Sequence, residues 1–247
     1  MTYLIDPDRL AEVLDPDFTI KKGAHNNPDD GMCELEAVAY ITRSEHTDHP
    51  PCASPVIAAF LRSWNDTLDD TTRQTLKPYI PRLVGTAGTP EQEDQRAWMA
   101  LDWLVRTYTP AWLRCAGLND QADTLAGLAE FQAGMDVPAI RPVIDRVRKD
   151  AVAAGDAAWA AAWAAAWVAA GVAAGDAARD ALTVARDAAR DAAWVALGDA
   201  AGDAARAAAR AAAWVAAGVA LTPTVAELQT AAHQLVDRMI AVTEAAS

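Results

Sequence analysis

Five side chains that bind metals or carry out nucleophilic chemistry fall within 28 residues of one another: His25, Cys33, His46, His49 and Cys52. Thiolate and imidazole are the ligands zinc prefers, four at a time in tetrahedral order. The set His25, Cys33, His49 and Cys52 could therefore form a zinc site, with His49 and Cys52 separated by two residues, although no cofactor is the expectation. The spacing is not that of a standard finger, and free cysteine is as much a small buried apolar residue as a ligand. Plain burial of the thiols stands beside the zinc reading. Cys33 also falls near a predicted helix start, where the backbone dipole lowers a thiol's pKa, and His25 or His49 could then serve as its base. Nothing nearby supplies oxyanion donors or a third, orienting group. The acidic stretch Asp29, Asp30, Glu34 and Glu36 could hold a cation, although acids belong in a helix's first turn for electrostatic reasons alone. No phosphate-cradling or dinucleotide glycine fingerprint is present, because the GVAAG and GDAAG pieces lie inside helical repeats.

The elements that must position these residues read as helices. A short helix is predicted near Pro7–Leu14, a brief extended piece at Phe18–Lys22, and a turn-rich loop from Gly23 to Gly31. Leu35, Val38, Tyr40 and Ile41 recur at helical spacing and predict a helix from about Met32 to Thr42. Ser54-Pro55, Thr89-Pro90 and Thr109-Pro110 each pair a capping hydroxyl with a proline suited to the first helical position. They predict helices at Pro55–Leu68, Pro90–Thr107 and Pro110–Ala116, the last stopped by Gly117. Thr71–Val84 reads as helical pieces broken at Pro78 and Pro81, and Leu118, Leu125, Leu128 and Phe131 mark a further helix. Trp64, Trp98, Trp103 and Trp112 fall on apolar faces and are expected in the core. Thr224–Val242 reads as an amphipathic helix carrying Val225, Leu228, Leu235, Met239 and Val242.

The chain has 247 residues and a net charge of −13. Residues 1–150 carry 24 acids and 15 bases, and residues 151–247 carry 10 and 6. No basic run exists, which argues against direct nucleic-acid binding, since phosphate contacts need clustered Lys and Arg. Three cysteines make no disulfide framework, and the start lacks a basic-then-apolar leader, so a reducing cytoplasm is the expected location. From Ala157 to Gly175 there are 19 uncharged residues, long enough to cross a bilayer. Most are alanine, however, and Trp163 would sit mid-span, so no membrane partner is expected.

Beyond residue 150 the composition changes. Of the 71 residues from Ala151 to Leu221, 37 are alanine. A non-alanine residue recurs every fourth position as Gly155, Trp159, Trp163, Trp167, Gly171, Gly175 and Arg179. After a skip it resumes as Arg186, Arg190, Trp194, Gly198, Gly202, Arg206, Arg210, Trp214 and Gly218. Alanine is the best helix former, and glycine in a helix costs up to about 1 kcal/mol, so close helix packing is the expected reason for the glycines. Reflection about the point between Leu182 and Thr183 sets Gly171 opposite Trp194, Trp167 opposite Gly198, Trp163 opposite Gly202 and Trp159 opposite Arg206. This large-against-small pattern predicts an antiparallel pairing. A hairpin within one chain satisfies it, and so does a homodimer of long helices. The absence of Gly and Pro between Asp180 and Asp187 favours the dimer.

Several stretches resemble a family of helical proteins from actinobacteria and their phages that ends in an Ala/Trp/Asp/Arg tetrad repeat. They are Gly23-Ala-His25, Gly31-Met-Cys-Glu-Leu-Glu-Ala-Val-Ala-Tyr40, Asp48-His-Pro-Pro-Cys-Ala-Ser-Pro-Val-Ile57, Leu76-Lys-Pro, Pro81-Arg-Leu-Val-Gly-Thr86, Arg96-Ala-Trp-Met-Ala-Leu-Asp-Trp103, Leu221-Thr-Pro-Thr and Leu235-Val-Asp-Arg-Met-Ile. The resemblance implies a bacterial or phage cytoplasmic setting and brings no activity with it.

The expected fold class is all-α. A multi-helix N-terminal domain (1–136) is followed by an Ala-rich helical rod or antiparallel hairpin (137–221) and a C-terminal amphipathic helix (222–247). The expected function is that of a non-catalytic binding protein, self-associating through the Ala-rich helices and sequestering a host protein or a small ligand. A metalloprotein or enzyme built on Cys33, His49 and Cys52 is one alternative, and a structural or virion-assembly component is the other.

Overall fold

A computed structural model describes residues 3–135, 137–155 and 221–244 of the chain. Among these residues every regular element is helical. The order is α1 (Pro7–Leu14), α2 (Glu34–Ile41), α3 (Pro55–Asn65), α4 (Asp70–Arg73), α5 (Tyr79–Leu83), α6 (Pro90–Trp103), α7 (Thr109–Cys115), α8 (Asn119–Ala126), α9 (Val137–Gly155) and α10 (Leu221–Glu244). Short 3₁₀ turns at Pro28–Asp30 and Gln74–Leu76 join some of them. The predicted tetrad contacts of Trp159, Trp163, Trp167, Gly171, Trp194, Gly198, Gly202, Arg206 and Trp214 lie outside the described residues. So does the stretch Ala157–Gly175; among the described residues no helix is long and apolar enough to cross a membrane.

Side-chain caps start several of these helices where the sequence placed them. Asp6 accepts from the amides of Asp8 and Arg9, Ser54 from Ile57, and Thr89 from Gln92 in a reciprocal capping box. Asp6 satisfies two orphan donors of its first helical turn, and Ser54 and Thr89 one each. The third hydroxyl–proline pair behaves differently. Thr109 is not a cap, because its backbone is itself helical (φ −61°, ψ −46°). The chain instead runs from α6 into α7 through a π turn, Leu104–Tyr108. Pro110 removes a backbone donor and crowds the carbonyl one turn back, and the wider π turn accommodates it. The Thr109 hydroxyl donates to the Leu104 carbonyl oxygen at 2.8 Å, so this acceptor is satisfied.

The expected extended piece Phe18–Lys22 does not become a strand. The Ile20 amide donates to Gln74 Oε1 at 2.8 Å, and Gln74 Nε2 donates to the Ile20 carbonyl at 3.1 Å. A side-chain amide reproduces the two hydrogen bonds of a strand neighbour, so this backbone is satisfied without a sheet.

The core is continuous through all the long elements. Phe60 meets the Trp103 ring edge-on at 5.6 Å and the Trp64 ring at 5.8 Å, and Trp103, Tyr108 and Trp112 continue the aromatic column. The four tryptophans expected in the core are buried there. Ile144, Val147 and Ala151 of α9 close one side. From α10, Leu228, Ala232, Leu235, Val236, Met239 and Ile240 enter the same cluster against α3, α6 and α7. Polar contacts reinforce the docking of α10. Arg96, fully buried, donates from Nε to the Met239 carbonyl at 2.9 Å and from its other nitrogens to Thr243 and Glu93. Gln92 Nε2 reaches the Val242 carbonyl, one of the acceptors a helix end leaves open.

Candidate functional site

Two glutamates at the start of α2, Glu34 and Glu36, are buried and have opposite surroundings. Cys33 caps the helix: the Glu36 amide donates to its sulfur at 3.4 Å, while the Cys33 amide donates to Glu36 Oε2 at 2.8 Å. The loop Gly23–Gly31 folds over this cap. The His25 amide donates to Glu36 Oε1 at 2.6 Å, and His25 Nδ1 lies 2.7 Å from Glu36 Oε2. His46 Nε2 is 3.0 Å from the His25 carbonyl oxygen and 3.5 Å from Glu36 Oε1. Gly31 makes the fold-over feasible: its φ is +121°, and a β-carbon there would stand 2.8 Å from Lys21 Cγ. Glu36 is therefore a saturated acceptor that ties loop, cap and histidines together.

Glu34 is the contrast. It is 0% exposed, and neither carboxylate oxygen has a hydrogen-bond partner. Burial raises its pKa to about 8; the charges of Asp66 and Glu36 act in the same direction, while its own amide and Arg62 oppose them. At neutral pH Glu34 is mostly the neutral acid. A carboxylate left dry and unpaired would cost far more than a neutral carboxyl group.

Next to the start of α2 is a small cleft of about 30 Å³, open to solvent and lined by Gly23, Ala24, Cys33, Asp48, Arg62, Asn65 and Asp66. Asn65 is 1% exposed. Its Nδ2 donates to the Lys21 carbonyl at 3.0 Å, and its Oδ1 has no partner. Since the amide nitrogen must face that carbonyl, the orientation is determined and the oxygen is the unsatisfied atom. Asp66 Oδ1 accepts from the Gly23 amide at 2.8 Å. Arg62 donates to the Asp48 carbonyl oxygen at 3.0 Å, and its Nε lies 3.9 Å from Asp48 Oδ2. A second cleft, of about 100 Å³ between α8 and α9, is lined by groups such as Gln121 and Asp150, which bond each other at 3.2 Å. No buried unpartnered polar atom is recorded among its lining residues.

The residues singled out for zinc chemistry are distributed unequally around this region. His25 and Cys33 meet at Glu36, as above. His49 stands in solvent with its side chain 67% exposed, its Nδ1 paired with Asp48 Oδ1 at 2.6 Å. Cys52 is fully buried at the entry to α3, and its carbonyl accepts from the amides of Gly85 and Ala87. Among the described residues no three His, Cys, Asp or Glu side chains converge so as to hold a metal ion. The expectation that the α2 dipole would lower the Cys33 pKa is corrected. Burial pushes that thiol far up, with the neighbouring Glu34 and Glu36 adding to the effect. Burial raises the Cys52 thiol as well. Neither favours the thiolate that a nucleophile or metal ligand requires.

Arg62, Asn65 and Asp66 of the cleft, and the buried Glu34 at the start of α2, are residues that sequence reasoning did not single out together. Glu34 carried a signal, since its place one residue after the cap invites a first-turn solvation reading that burial overturns. Asn65 and Asp66 carried none, because α3 ends there and only the packing of α3 on α2 brings them to the loop. Comparison with protein-family models, with curated proteins and with solved structures returns no match.

Proposed function

We propose that this chain is a non-catalytic binding protein whose helical body captures a small polar ligand in the α2–α3 cleft. The carrying observation is Asn65 Oδ1, a buried acceptor without a partner on a residue that lines a cleft open to solvent. An unsatisfied buried polar group costs about 1–3 kcal/mol, and a ligand that supplies the missing donors offsets that cost. The suppressed Cys33 thiolate weighs against the enzyme alternative, because the most reactive side chain near the cleft is held in its inert form. The space enclosed by the cleft is only about 30 Å³, which limits what enters it to a group of one or two heavy atoms, alone or as one end of a larger molecule.

Self-association through the Ala-rich segment is the second half of this reading. It is supported by the antiparallel complementarity of Trp and Gly markers in the sequence. The resemblance described above suits a bacterial or phage accessory factor that sequesters its ligand. Native mass spectrometry of the chain purified rapidly without dialysis tests the binding reading. A bound small mass is expected that Asn65→Leu loses while keeping its helical circular dichroism. An adduct-free spectrum across several growth conditions would sink the sequestration of a small ligand.

A further inference from the structure

We propose that His233 is an acid-operated latch for the first half of α10: a proton taken up on Nδ1 turns the Tyr79 hydroxyl off the ring and loosens this half of the helix from Trp64 and Tyr79. The hydrogen-bond directions fix the resting state. Thr75, in the 3₁₀ turn Gln74–Leu76, donates its one hydroxyl hydrogen to the Thr72 carbonyl oxygen at 2.7 Å. The same Oγ1 lies 3.3 Å from His233 Nε2 and can only accept there, so Nε2 carries the ring hydrogen and Nδ1 presents a lone pair. The Tyr79 hydroxyl fills that lone pair as a donor at 2.8 Å. Burial pushes the Tyr79 pKa up to about 12, so the phenol keeps the hydrogen it donates.

A second ring proton reverses that arrangement. Both nitrogens of an imidazolium are donors. The Tyr79 oxygen must then accept at Nδ1, and its hydrogen passes to the His233 carbonyl oxygen, a longer contact at 3.2 Å. Charge opposes the change as well. The Trp64 ring of α3 meets the imidazole at 4.7 Å, and the Tyr79 ring of α5 stacks on it at 5.6 Å. The Arg82 guanidinium already lies 5.2 Å from the centre of that Tyr79 ring, so protonated His233 is a second cation on it. Asp237, one turn along α10, draws the proton, but Arg82 pairs with it at 2.7 Å, and one acid serves two cations. Burial is the larger effect and holds the imidazole below its ordinary value. The second half of α10 is fastened separately, by Arg96 on Met239 and Thr243 and by Gln92 on Val242. Acid therefore opens the half where Thr224 meets Cys115 at 2.9 Å and leaves the far half seated.

Amide hydrogen exchange of the full-length chain between pH 7.5 and pH 5, followed by NMR and corrected for the intrinsic pH dependence of exchange, tests this. Opening at residues 225–234 should rise relative to residues 239–243 by up to about tenfold per pH unit below 6.5, as linkage to one proton requires. Long-range ¹H–¹⁵N spectra at pH 7 should show His233 as the Nε2–H tautomer. His233→Gln, neutral throughout this range, should lose the acid-driven rise. Arg82→Gln removes the competing cation from an exposed position and frees Asp237. It should raise the His233 titration midpoint and weaken the rise, and it serves as the second variant if His233→Gln does not fold. An Nδ1–H tautomer at pH 7 would overturn the resting state. A rise that persists in His233→Gln, or one equal in both halves of α10, would overturn the latch. An unmoved midpoint in Arg82→Gln would overturn the competition between the two cations.

Discussion

Glu34 carries a free-energy consequence whether or not a ligand is present. Its folded pKa, about 8, stands above the ordinary 4.5, so between those values the native chain holds a proton that the unfolded chain has lost. Stability from this group is complete below pH 4.5 and declines as pH rises through the window, by up to about 1.4 kcal/mol per unit. Urea unfolding at pH 6 and pH 7.5 should show wild-type stability falling by about 2 kcal/mol from this source, with a distinctly flatter profile in Glu34→Gln. A parallel decline in the variant would show that the titrating group is elsewhere. At the same scale, the sequence placed Cys33 at a helix start correctly and its acidity wrongly. Helix-end electrostatics can be read from position, whereas desolvation depends on what the rest of the chain lays over the sulfur. His25 and Cys33 were paired for zinc, and they do meet. Their common partner is the Glu36 carboxylate, which proximity along the chain could not single out.

Among the elements, α10 shows how an ordinary amphipathic pattern becomes part of the core. Its apolar stripe was legible, since Leu228, Leu235 and Met239 recur at helical spacing and all three are buried. What it packs on was not legible, because a hydrophobic face specifies burial without naming the neighbour. The neighbour is α6 together with α3 and α7, and the contact is held by Arg96, a residue that looks like a solvated charge in sequence. Glu93, its salt-bridge partner, also takes the Ser54 hydroxyl and the Gly88 amide, so one buried network joins α3, α6 and α10. Replacing Arg96 with Met strands Glu93 and the acceptors of α10, and should cost about 3–5 kcal/mol in chemical denaturation. A loss below about 1 kcal/mol would mean that apolar packing alone seats the helix. His233 adds an aromatic contact: its ring lies 4.7 Å from that of Trp64 and stacks on Tyr79 at 5.6 Å, with the Tyr79 hydroxyl 2.8 Å from Nδ1. Burial holds this imidazole below its ordinary value of 6.5. Its contribution is therefore complete above that pH and is lost as the solution turns more acid.

For the molecule as a whole, the two described ends that flank residues 156–220 both touch the α7–α8 pair. Gln121 of α8 bonds Asp150 of α9 at 3.2 Å, and Cys115 of α7 lies 2.9 Å from Thr224 of α10. Replacing residues 156–220 with a Gly/Ser linker of about 20 residues changes the loop-closure entropy by only about 1 kcal/mol. The body should then melt within a few degrees of the full chain, whereas ending the chain at Gly155 removes α10 and should abolish cooperative unfolding. Equal damage in both would place the Ala-rich segment in the folding core. Sedimentation of the linker variant also tests self-association, which should disappear with the segment. The sequence by itself determined that the body is helical, where most helices start and which tryptophans are buried, because capping, proline placement and apolar periodicity act over a few residues. Only tertiary structure decided that Phe18–Lys22 is satisfied by Gln74, that α6 runs on into α7 through a π turn, and that the Glu34 carboxyl and Asn65 Oδ1 are buried without partners. Those outcomes depend on desolvation and on hydrogen-bond partners tens of residues apart, and local spacing does not encode either.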